Sequence, residues 1–326
     1  MSLDRYGRRI HYLRISLTDQ CNLRCVYCMP ESMTFRPAAE LMQDAEILRL
    51  VGIFSGLGFN KFRLTGGEPT IRSGFLDLVR SMSAVTGVSE IAITTNGILL
   101  KHLAQPLVEA RVKRVNVSLD TLNPERFKTL TRWGRLEDVL SGIEKAEAAG
   151  MRIKINAVVV RGVNDTADAI ELARQTMERD WQVRFLELMP LGSISDFQNT
   201  HVVTEDELLK TIGTALGQPV LQDNGLLDGE ARIYKLPGSR GTLGFISAVS
   251  KPFCAGCNRV RLTADGKLRL CLLREREVDL LKPLREGASD TELSTYIERA
   301  IWVKPWGHGL AQKVVPMNRV MSEIGG

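Results

Sequence analysis

Short runs rich in β-branched and aromatic residues alternate with helix-period segments along the first two thirds of the chain. The helical segments carry apolar residues three and four positions apart, as Ile47, Val51 and Phe54 do within 39–58. Between them the pattern predicts six strands, at 12–17, 61–65, 91–95, 115–119, 153–160 and 183–188. Strands that alternate with helices predict βα units and a parallel sheet, either a curved barrel or a wide doubly wound sheet.

The pattern changes after about residue 215. A helix predicted at 205–212 is followed by short β runs at 231–236 and 242–249 and by a helix at 289–303. Asp265-Gly266 lies between two alternating runs and predicts a tight hairpin, because glycine supplies the positive φ that the turn needs. We therefore expect a core at 1–220 and a β-rich and helical C-terminal region at 221–326.

Composition places the chain among ordinary globular proteins, with 44% hydrophobic and 25% charged residues. No apolar run approaches the roughly 20 residues that span a bilayer, and the N-terminus lacks a signal-peptide core. The net charge of +5 is modest for 326 residues and does not by itself indicate nucleic acid. We expect a cytoplasmic protein without a membrane or nucleic-acid partner.

All six cysteines fall into two triplets, Cys21/Cys25/Cys28 and Cys254/Cys257/Cys271. Each triplet is one ligand short of a closed tetrahedral zinc site or a fully cysteine-ligated iron–sulfur cluster. None of the four histidines follows the first triplet at zinc-finger spacing. A zinc loop with a distant fourth ligand and a disulfide framework are the alternatives, although disulfides belong mainly to short secreted chains. An incomplete cysteine set favours a cluster whose open iron binds a small molecule.

The first triplet, C-x3-C-x2-C with Tyr27 before the last cysteine, resembles the signature of the radical S-adenosylmethionine (SAM) superfamily. The resemblance implies that the open iron binds SAM and that one electron cleaves it to a 5′-deoxyadenosyl radical. It also implies an open (β/α)6 partial TIM barrel, which periodicity alone does not single out. Polar motifs at the predicted strand ends, such as Gly66-Gly67-Glu68-Pro69, agree with a site at the mouth of a βα barrel.

The second triplet, C-x2-C-x13-C, and the Gly325-Gly326 end make the whole chain similar to the GTP 3′,8-cyclase (MoaA) family of molybdenum cofactor biosynthesis. This resemblance implies two 4Fe-4S clusters, the second binding substrate. It implies abstraction of the ribose C3′ hydrogen of GTP and attack on guanine C8, giving 3′,8-cyclo-7,8-dihydroguanosine 5′-triphosphate. A structural zinc or an electron-relay cluster is the alternative for the second triplet.

The resemblance also assigns residues to ligands. It places Tyr27, Gly67, Ser118 and Met189 at SAM, and it gives the Gly325-Gly326 tail a place in the active site, the alternative being a frayed terminus. Several cations are needed for a triphosphate, because one charge-assisted hydrogen bond contributes roughly 1.5–3 kcal/mol and micromolar binding needs about 8. The residues that it places at GTP are Arg14, Arg63, Thr94, Lys154, Arg259, Val260 and Arg261.

Partners follow from the same resemblance. We expect GTP and SAM as ligands, a flavodoxin- or ferredoxin-like reductant protein, and a functional link to a downstream cyclic pyranopterin monophosphate synthase. The sequence is compatible with either a monomer or a homodimer. Two rival hypotheses remain: a peptide-modifying radical SAM maturase, whose C-terminal region generally carries more cysteines, and a non-catalytic zinc or iron–sulfur protein that binds nucleic acid.

Overall fold

The computed structural model describes residues 2–192, 195–222, 231–310 and 314–325, and in this part of the chain one twelve-stranded sheet dominates. The first six strands are β1 (Tyr12–Ser16), β2 (Lys61–Thr65), β3 (Glu90–Thr95), β4 (Arg114–Ser118), β5 (Arg152–Val159) and β6 (Gln182–Glu187). The helices that connect them are α1 (Asp44–Gly56), α2 (Phe75–Ser83), α3 (Leu100–Glu109), α4 (Pro124–Thr131), α5 (Leu136–Ala148) and α6 (Ala167–Glu178).

The rest of the chain adds elements at both edges of the sheet. Its helices are α7 (Ser195–Thr200), α8 (Glu205–Leu216), α9 (Leu281–Arg285) and α10 (Asp290–Trp302). Its strands are β7 (Val220–Leu221), β8 (Arg232–Lys235), β9 (Thr242–Ile246), β10 (Arg259–Leu262), β11 (Lys267–Arg269) and β12 (Glu277–Asp279). The strand order is β12-β11-β10-β1-β2-β3-β4-β5-β6-β9-β8-β7, and within the described residues its two ends, β12 and β7, do not pair.

The six predicted βα strands and the open, unclosed sheet are confirmed. β10 pairs with β1 and β9 pairs with β6, both in parallel, so the central eight strands all run the same way. β10 and β11 pair antiparallel around the turn at Asp265 and Gly266, which confirms the predicted hairpin. The sequence pattern missed the three short helices α4, α7 and α9.

Alternation along each strand separates the apolar core from the interior of the barrel. Leu13 and Ile15 of β1 are fully buried beneath the helices, and the equivalent positions of β2, Phe62 and Leu64, join the same core. The residues between them point inward, because successive side chains of a strand face opposite sides. Arg14 is therefore in register with Arg63 on one side and with Arg261 on the other. The interior is lined by charge while the exterior packs against helices.

The helices attach through apolar stripes at helical spacing. In α5 the buried positions are Leu136, Val139, Ile143 and Ala146, three or four residues apart, and they pack against the outer face of the sheet. None of the described helices is long and apolar enough to span a bilayer.

Candidate active site

The first cysteine triplet lines a cavity at the C-terminal end of the sheet. Cys21, Cys25 and Cys28 follow β1, and the other walls come from the ends of β2 to β6. The SAM candidates Tyr27, Gly67, Ser118 and Met189 line the same cavity of about 1050 Å³. The fold thus brings together, from four different strand ends, all the residues that the sequence predicted for cluster 1 and SAM.

Gly66 and Gly67 hold the end of β2 against the segment that leads into the cysteine loop. Gly67 N donates to Thr18 O at 2.8 Å, and Glu68 N donates to Gln20 O at 2.8 Å. A Cβ on Gly67 would lie 2.2 Å from Gln20 O, and Gly66 has a φ of +151°. The glycines therefore let the end of β2 contact the segment before the cysteine loop. This contact requires glycine in addition to any close approach of a ligand.

The buried Glu68 carboxylate, which follows β2, ties the end of β2 to the end of β3 and, through Asn96, to the cysteine loop. It accepts hydrogen bonds from Thr70 Oγ1 at 2.5 Å, Thr95 Oγ1 at 2.8 Å and Asn96 N at 2.6 Å. Asn96 Nδ2 in turn donates to Asn22 Oδ1 at 2.7 Å. Burial raises the pKa of Glu68, and these donors oppose the rise. The network fixes the loop in the cavity mouth.

Tyr27 is fixed at both its backbone and its side chain. Its hydroxyl donates to Asp120 Oδ2 at 2.6 Å, and its carbonyl accepts from Gln198 Nε2 at 3.0 Å. Asp120 also accepts from Val158 N at 2.8 Å, and burial raises its pKa to about 6. The cysteine loop is thereby bound to β4, β5 and α7.

The thiols of the first triplet are half-buried in the cavity wall. Burial raises the pKa of Cys21 to about 11 and that of Cys28 to about 12, and it raises the pKa of Cys25 well above its usual value. Such thiols are protonated at neutral pH unless a metal displaces the proton. In the described part of the chain, no three histidine, cysteine or carboxylate side chains converge closely enough for a single ion. The donor set, three soft thiols around a shared cavity, fits a cluster.

The second triplet lines an adjoining cavity of about 960 Å³. Cys254, Cys257 and Cys271 form one side of it. The predicted GTP residues on the remaining walls are Arg14, Arg63, Thr94, Arg259, Val260 and Arg261. Burial raises the pKa of Cys271, while Lys304 opposes the rise. The hairpin β10–β11 returns Cys271 to the other two cysteines, as predicted from its turn.

The two cavities share a wall. Thr94, Asn156, Leu186 and Met189 line both of them, so a molecule in one cavity lies beside a molecule in the other. Met189 and Thr94 were predicted for different ligands, and the structure puts each at the junction. This junction is the place where two bound molecules could react.

The second cavity concentrates positive charge. Burial first, together with neighbouring arginines such as Arg14, lowers the pKa of Arg259 to about 9 and that of Arg63 to about 10. The pKa of Arg261 falls well below its usual value for the same two reasons. Among the described residues that line this cavity none carries a carboxylate. An anionic ligand would relieve the repulsion between these guanidinium groups.

Lys154 stands apart from the cavity walls, whereas the tail contacts one of them at Arg261. Lys154 is half-buried on β5, on the inward side that it shares with Asn156, but it lines neither cavity. The tail enters the barrel: Gly325 O accepts from Arg261 Nη1 at 2.6 Å, and a Cβ on Gly325 would lie 2.2 Å from Thr65 Oγ1. Gly326 lies outside the described residues.

Sequence reasoning missed several residues of the site. Tyr12 has the guanidinium groups of Arg14, Arg63 and Arg259 within 5.3–5.9 Å of its ring centroid. Arg8, paired with Asp4, donates to Cys254 O at 2.7 Å. The inward position of Tyr12 follows from strand alternation with Arg14, whereas no sequence signal links Arg8 to a residue 246 positions away.

Lys304 and His308 complete the wall behind the second triplet. Both line its cavity, and the Lys304 ammonium, which is 2% exposed, donates to Leu270 O. They belong to the segment after α10, for which the sequence predicted only a tail.

Comparisons with known proteins agree with this geometry. Residues 15–174 match the family described as the Radical SAM superfamily, and residues 181–310 match Molybdenum Cofactor Synthesis C. Among solved structures, Streptococcus suis SuiB bound to S-adenosylmethionine superposes with a TM-score of 0.61 at 15% identity, covering 88% of this chain and 68% of that one. This likeness shows the shared fold.

Curated relatives match over nearly the full length. The GTP 3′,8-cyclase of Heliobacterium modesticaldum is 45% identical over 99% of this chain and 100% of its own. The enzymes of the same name from Desulforamulus reducens and Pelotomaculum thermopropionicum are 44% and 46% identical, each over 99% of this chain and 100% and 99% of their own lengths. With both cysteine triplets, the arginine-lined cavity and these full-length relatives in agreement, the chain belongs to the GTP 3′,8-cyclase family of the radical SAM superfamily.

Proposed function

We propose that this chain binds GTP and SAM side by side and catalyses the first step of molybdenum cofactor biosynthesis. The reaction closes a bond between ribose C3′ and guanine C8 of GTP after the C3′ hydrogen is removed. The observation that carries the proposal is the wall of Thr94, Asn156, Leu186 and Met189 that two cysteine-lined cavities share. Adjacent binding turns hydrogen transfer into a positioning problem that the barrel can solve.

Cys21, Cys25 and Cys28 would hold a 4Fe-4S cluster whose fourth iron position is left for SAM. When bound, the cluster supplies the electron that cleaves SAM reductively. Gly67, Ser118 and Met189 line the space beside the three thiols, and the carbonyl of Tyr27 is kept near them by Gln198. These residues bind and orient the methionyl and adenosyl parts.

Cys254, Cys257 and Cys271 would hold a second 4Fe-4S cluster, which binds the substrate. Arg8 holds the backbone of Cys254, and Lys304 holds the backbone of Leu270 beside Cys271. Three thiols, an arginine-lined cavity and two buried cations behind the ligands support this assignment over a purely structural zinc, because a closed metal site needs no anion-binding wall.

The triphosphate would lie among Arg14, Arg63, Arg259 and Arg261, with Thr94 and the Val260 backbone beside the nucleoside. At roughly 1.5–3 kcal/mol for each charge-assisted hydrogen bond, four guanidinium groups supply about the 8 kcal/mol that micromolar binding needs before the costs of association. Lys154 contributes from the inward side of β5, below Asn156. Gly325, buried between Thr65 and Arg261, would close the substrate cavity beside Arg261.

The C-terminal region 221–326 would then serve the substrate and the core 1–220 would serve SAM. A flavodoxin- or ferredoxin-like protein would provide electrons, and a cyclic pyranopterin monophosphate synthase would consume the product. Both partners are proposals for a cytoplasmic enzyme, either monomer or homodimer.

Deuterium at C3′ of GTP tests the proposal. The reconstituted protein, given dithionite, SAM and labelled GTP, is expected to release deuterated 5′-deoxyadenosine, because the C3′ hydrogen is the one removed. GTP labelled at C2′ is the control and should give unlabelled 5′-deoxyadenosine. Unlabelled product from both substrates would overturn the reaction, and product formed only with a peptide would favour a maturase.

A further inference from the structure

We infer that the surface formed by Trp133, Lys128, Arg132 and Arg135, called the Trp133 surface below, receives an acidic protein that donates single electrons to the cluster site of Cys21, Cys25 and Cys28. The inference rests on the proposed function, since it presumes a redox cluster at these cysteines. The step moves one electron: the carrier is oxidised by one electron and the cluster is reduced by one.

One buried side chain separates this surface from the cysteine loop. Arg24 lies within the loop, and its Nη1 donates to Cys21 O at 2.7 Å and to Leu23 O at 2.8 Å. Its guanidinium is stacked between two rings, 4.2 Å from the centroid of Trp133 and 5.0 Å from that of Phe35. Trp133 is 52% exposed, whereas tryptophan is usually well buried. A partner that touches Trp133 is thus two residues away from a proposed cluster ligand.

Backbone contacts fix the surface to the loop. Arg24 N donates to Thr131 O at 3.0 Å, and Val26 N donates to Leu130 O at 2.9 Å. Arg132 adopts a φ of +63°, a conformation that non-glycine residues rarely take, and its Nη1 donates to Arg24 O at 3.0 Å. The contacts that hold this conformation place Trp133 over the loop, so the ring cannot drift away without disturbing the loop.

The charge around Trp133 identifies the kind of partner. Three of the four residues of the Trp133 surface are cations, and two of them have a carboxylate partner: Arg132 Nε lies 3.7 Å from Glu31, and Arg135 Nε lies 3.8 Å from Glu137. Arg135 and Lys128 lie at the exposed rim, where charge steers association with an oppositely charged protein. An exposed ring beside more cations than paired carboxylates is suited to an acidic protein with an exposed electron donor.

The test uses the reconstituted holoenzyme and an acidic flavodoxin as the probe. Binding of oxidised flavodoxin is measured at about 50 mM and about 300 mM salt, because attraction between exposed charges weakens with ionic strength. Trp133→Ala and the double variant Lys128→Glu/Arg135→Glu are expected to weaken binding about 5- to 30-fold at low salt. The control Trp302→Ala, on α10 and 57% exposed, is expected to leave it unchanged.

The same proteins are then compared with two reductants. With fully reduced flavodoxin the Trp133 surface variants should reduce the cluster more slowly, whereas with dithionite they should form 5′-deoxyadenosine as fast as the unsubstituted protein. The inference would be overturned if the variants were slowed equally with both reductants, or if flavodoxin reduced them at the normal rate. It would also be overturned if the unsubstituted protein bound no flavodoxin, or if a second copy of the chain covered Trp133. Absence of 5′-deoxyadenosine from the unsubstituted protein with dithionite would instead mean that the proposed function fails.

Discussion

Gly67 controls the cysteine loop through a contact too short for any side chain. The nearest atoms to an added Cβ are the carbonyls of Gln20 at 2.2 Å and Asp19 at 2.6 Å, both backbone. Backbone atoms cannot rotate out of the way, so the loop would have to shift. A loop that shifts takes Cys21 with it.

We therefore expect Gly67→Ala to lower both iron loading and SAM binding while leaving the fold intact. Iron per chain and SAM affinity measured by calorimetry would report the change, with affinity at least ~10-fold weaker, about 1.4 kcal/mol. Gly52→Ala is the matched control, because that helical position has nothing within 4 Å of the added Cβ and should gain roughly 0.5–1 kcal/mol of stability. Normal SAM binding by Gly67→Ala would contradict this role of the contact.

The ring of Tyr12 contacts three of the arginines that we propose for GTP, Arg14, Arg63 and Arg259. Burial alone would raise its pKa, but Arg63 and Arg14 outweigh burial and lower the pKa below its usual value. We expect Tyr12→Leu to raise the KM for GTP roughly 5- to 30-fold, because cation–π contacts contribute about 1–2 kcal/mol when desolvated. Tyr12→Phe keeps the ring and should stay within about 2-fold of the unsubstituted protein.

Comparing the KM for GTP of Tyr12→Leu with that of Tyr12→Phe separates the contribution of the ring from that of the hydroxyl. Steady-state kinetics with varied GTP measures it, and Tyr296→Leu on α10, where the side chain is 48% exposed, serves as the control. If Tyr12→Phe raised the KM for GTP as much as Tyr12→Leu, the effect would belong to the hydroxyl instead.

At the scale of single residues, the sequence predicted the motif residues of the site but not the residues that hold them in place by hydrogen bonds. Cys21, Gly67 and Arg261 lie in runs whose spacing or resemblance marks them. Asp120, Arg8 and Lys304 act on residues that are 93, 246 and 34 positions away, through hydrogen bonds to Tyr27, Cys254 and Leu270. No periodicity encodes such pairs, since they depend on which strand ends the fold brings together.

Among the elements, α8 is held to the sheet edge by one carboxylate. Glu205, its first residue, accepts two bonds from Arg232 Nε at 2.9 and 3.0 Å, one from Ser247 Oγ at 2.6 Å and one from Tyr234 at 3.0 Å. Burial acts to raise the pKa of Glu205, but the hydrogen bonds from Arg232 and Ser247 outweigh it, so the pKa is lowered. The Glu205 carboxylate thereby joins α8 to β8 and to the end of β9.

Glu205→Gln should therefore cost about 2 kcal/mol of unfolding free energy near neutral pH, since it leaves Arg232 without its charge partner. Because the folded-state pKa is depressed, the stabilisation is present above the unfolded pKa of about 4.5 and is lost as pH falls through the folded value. Urea titrations at several pH values should show the difference between the two proteins shrinking below about pH 4.5. Glu171→Gln, which removes an exposed pair with Arg174, should cost at most about 0.5 kcal/mol. A difference that persists at low pH would contradict the charge-based explanation.

Element patterns predicted the βα succession but not the edges of the sheet. Nothing in 231–271 marks β9 and β10 as parallel neighbours of β6 and β1, since their short apolar runs suit a separate antiparallel unit equally well. The pairing arises because the open barrel leaves two strand edges whose backbone groups need partners. Filling both edges from the C-terminal region is what brings Arg259 and Arg261 beside Arg14.

Across the whole molecule, the two cysteine triplets have no cysteine in common, yet the cavities that they line share a wall. The first lies after β1, whereas the second depends on the hairpin β10–β11 and on the segment around Lys304. Because no ligand is common to both, we expect each proposed cluster to assemble without the other.

The triple variant Cys254→Ser/Cys257→Ser/Cys271→Ser should retain about four irons per chain, compared with about eight in the unsubstituted protein. SAM binding should persist, because its cavity keeps Cys21, Cys25 and Cys28 and the walls from Gly67 and Ser118. GTP-dependent release of 5′-deoxyadenosine should disappear, since the substrate loses its anchor. Iron analysis, SAM calorimetry and product assays measure the three effects, and Cys21→Ser/Cys25→Ser/Cys28→Ser is the reciprocal control, with four irons kept but SAM binding lost. Loss of all iron from either variant would mean that the clusters assemble as one unit across the shared wall, and unchanged iron in the first would mean that the second triplet holds none.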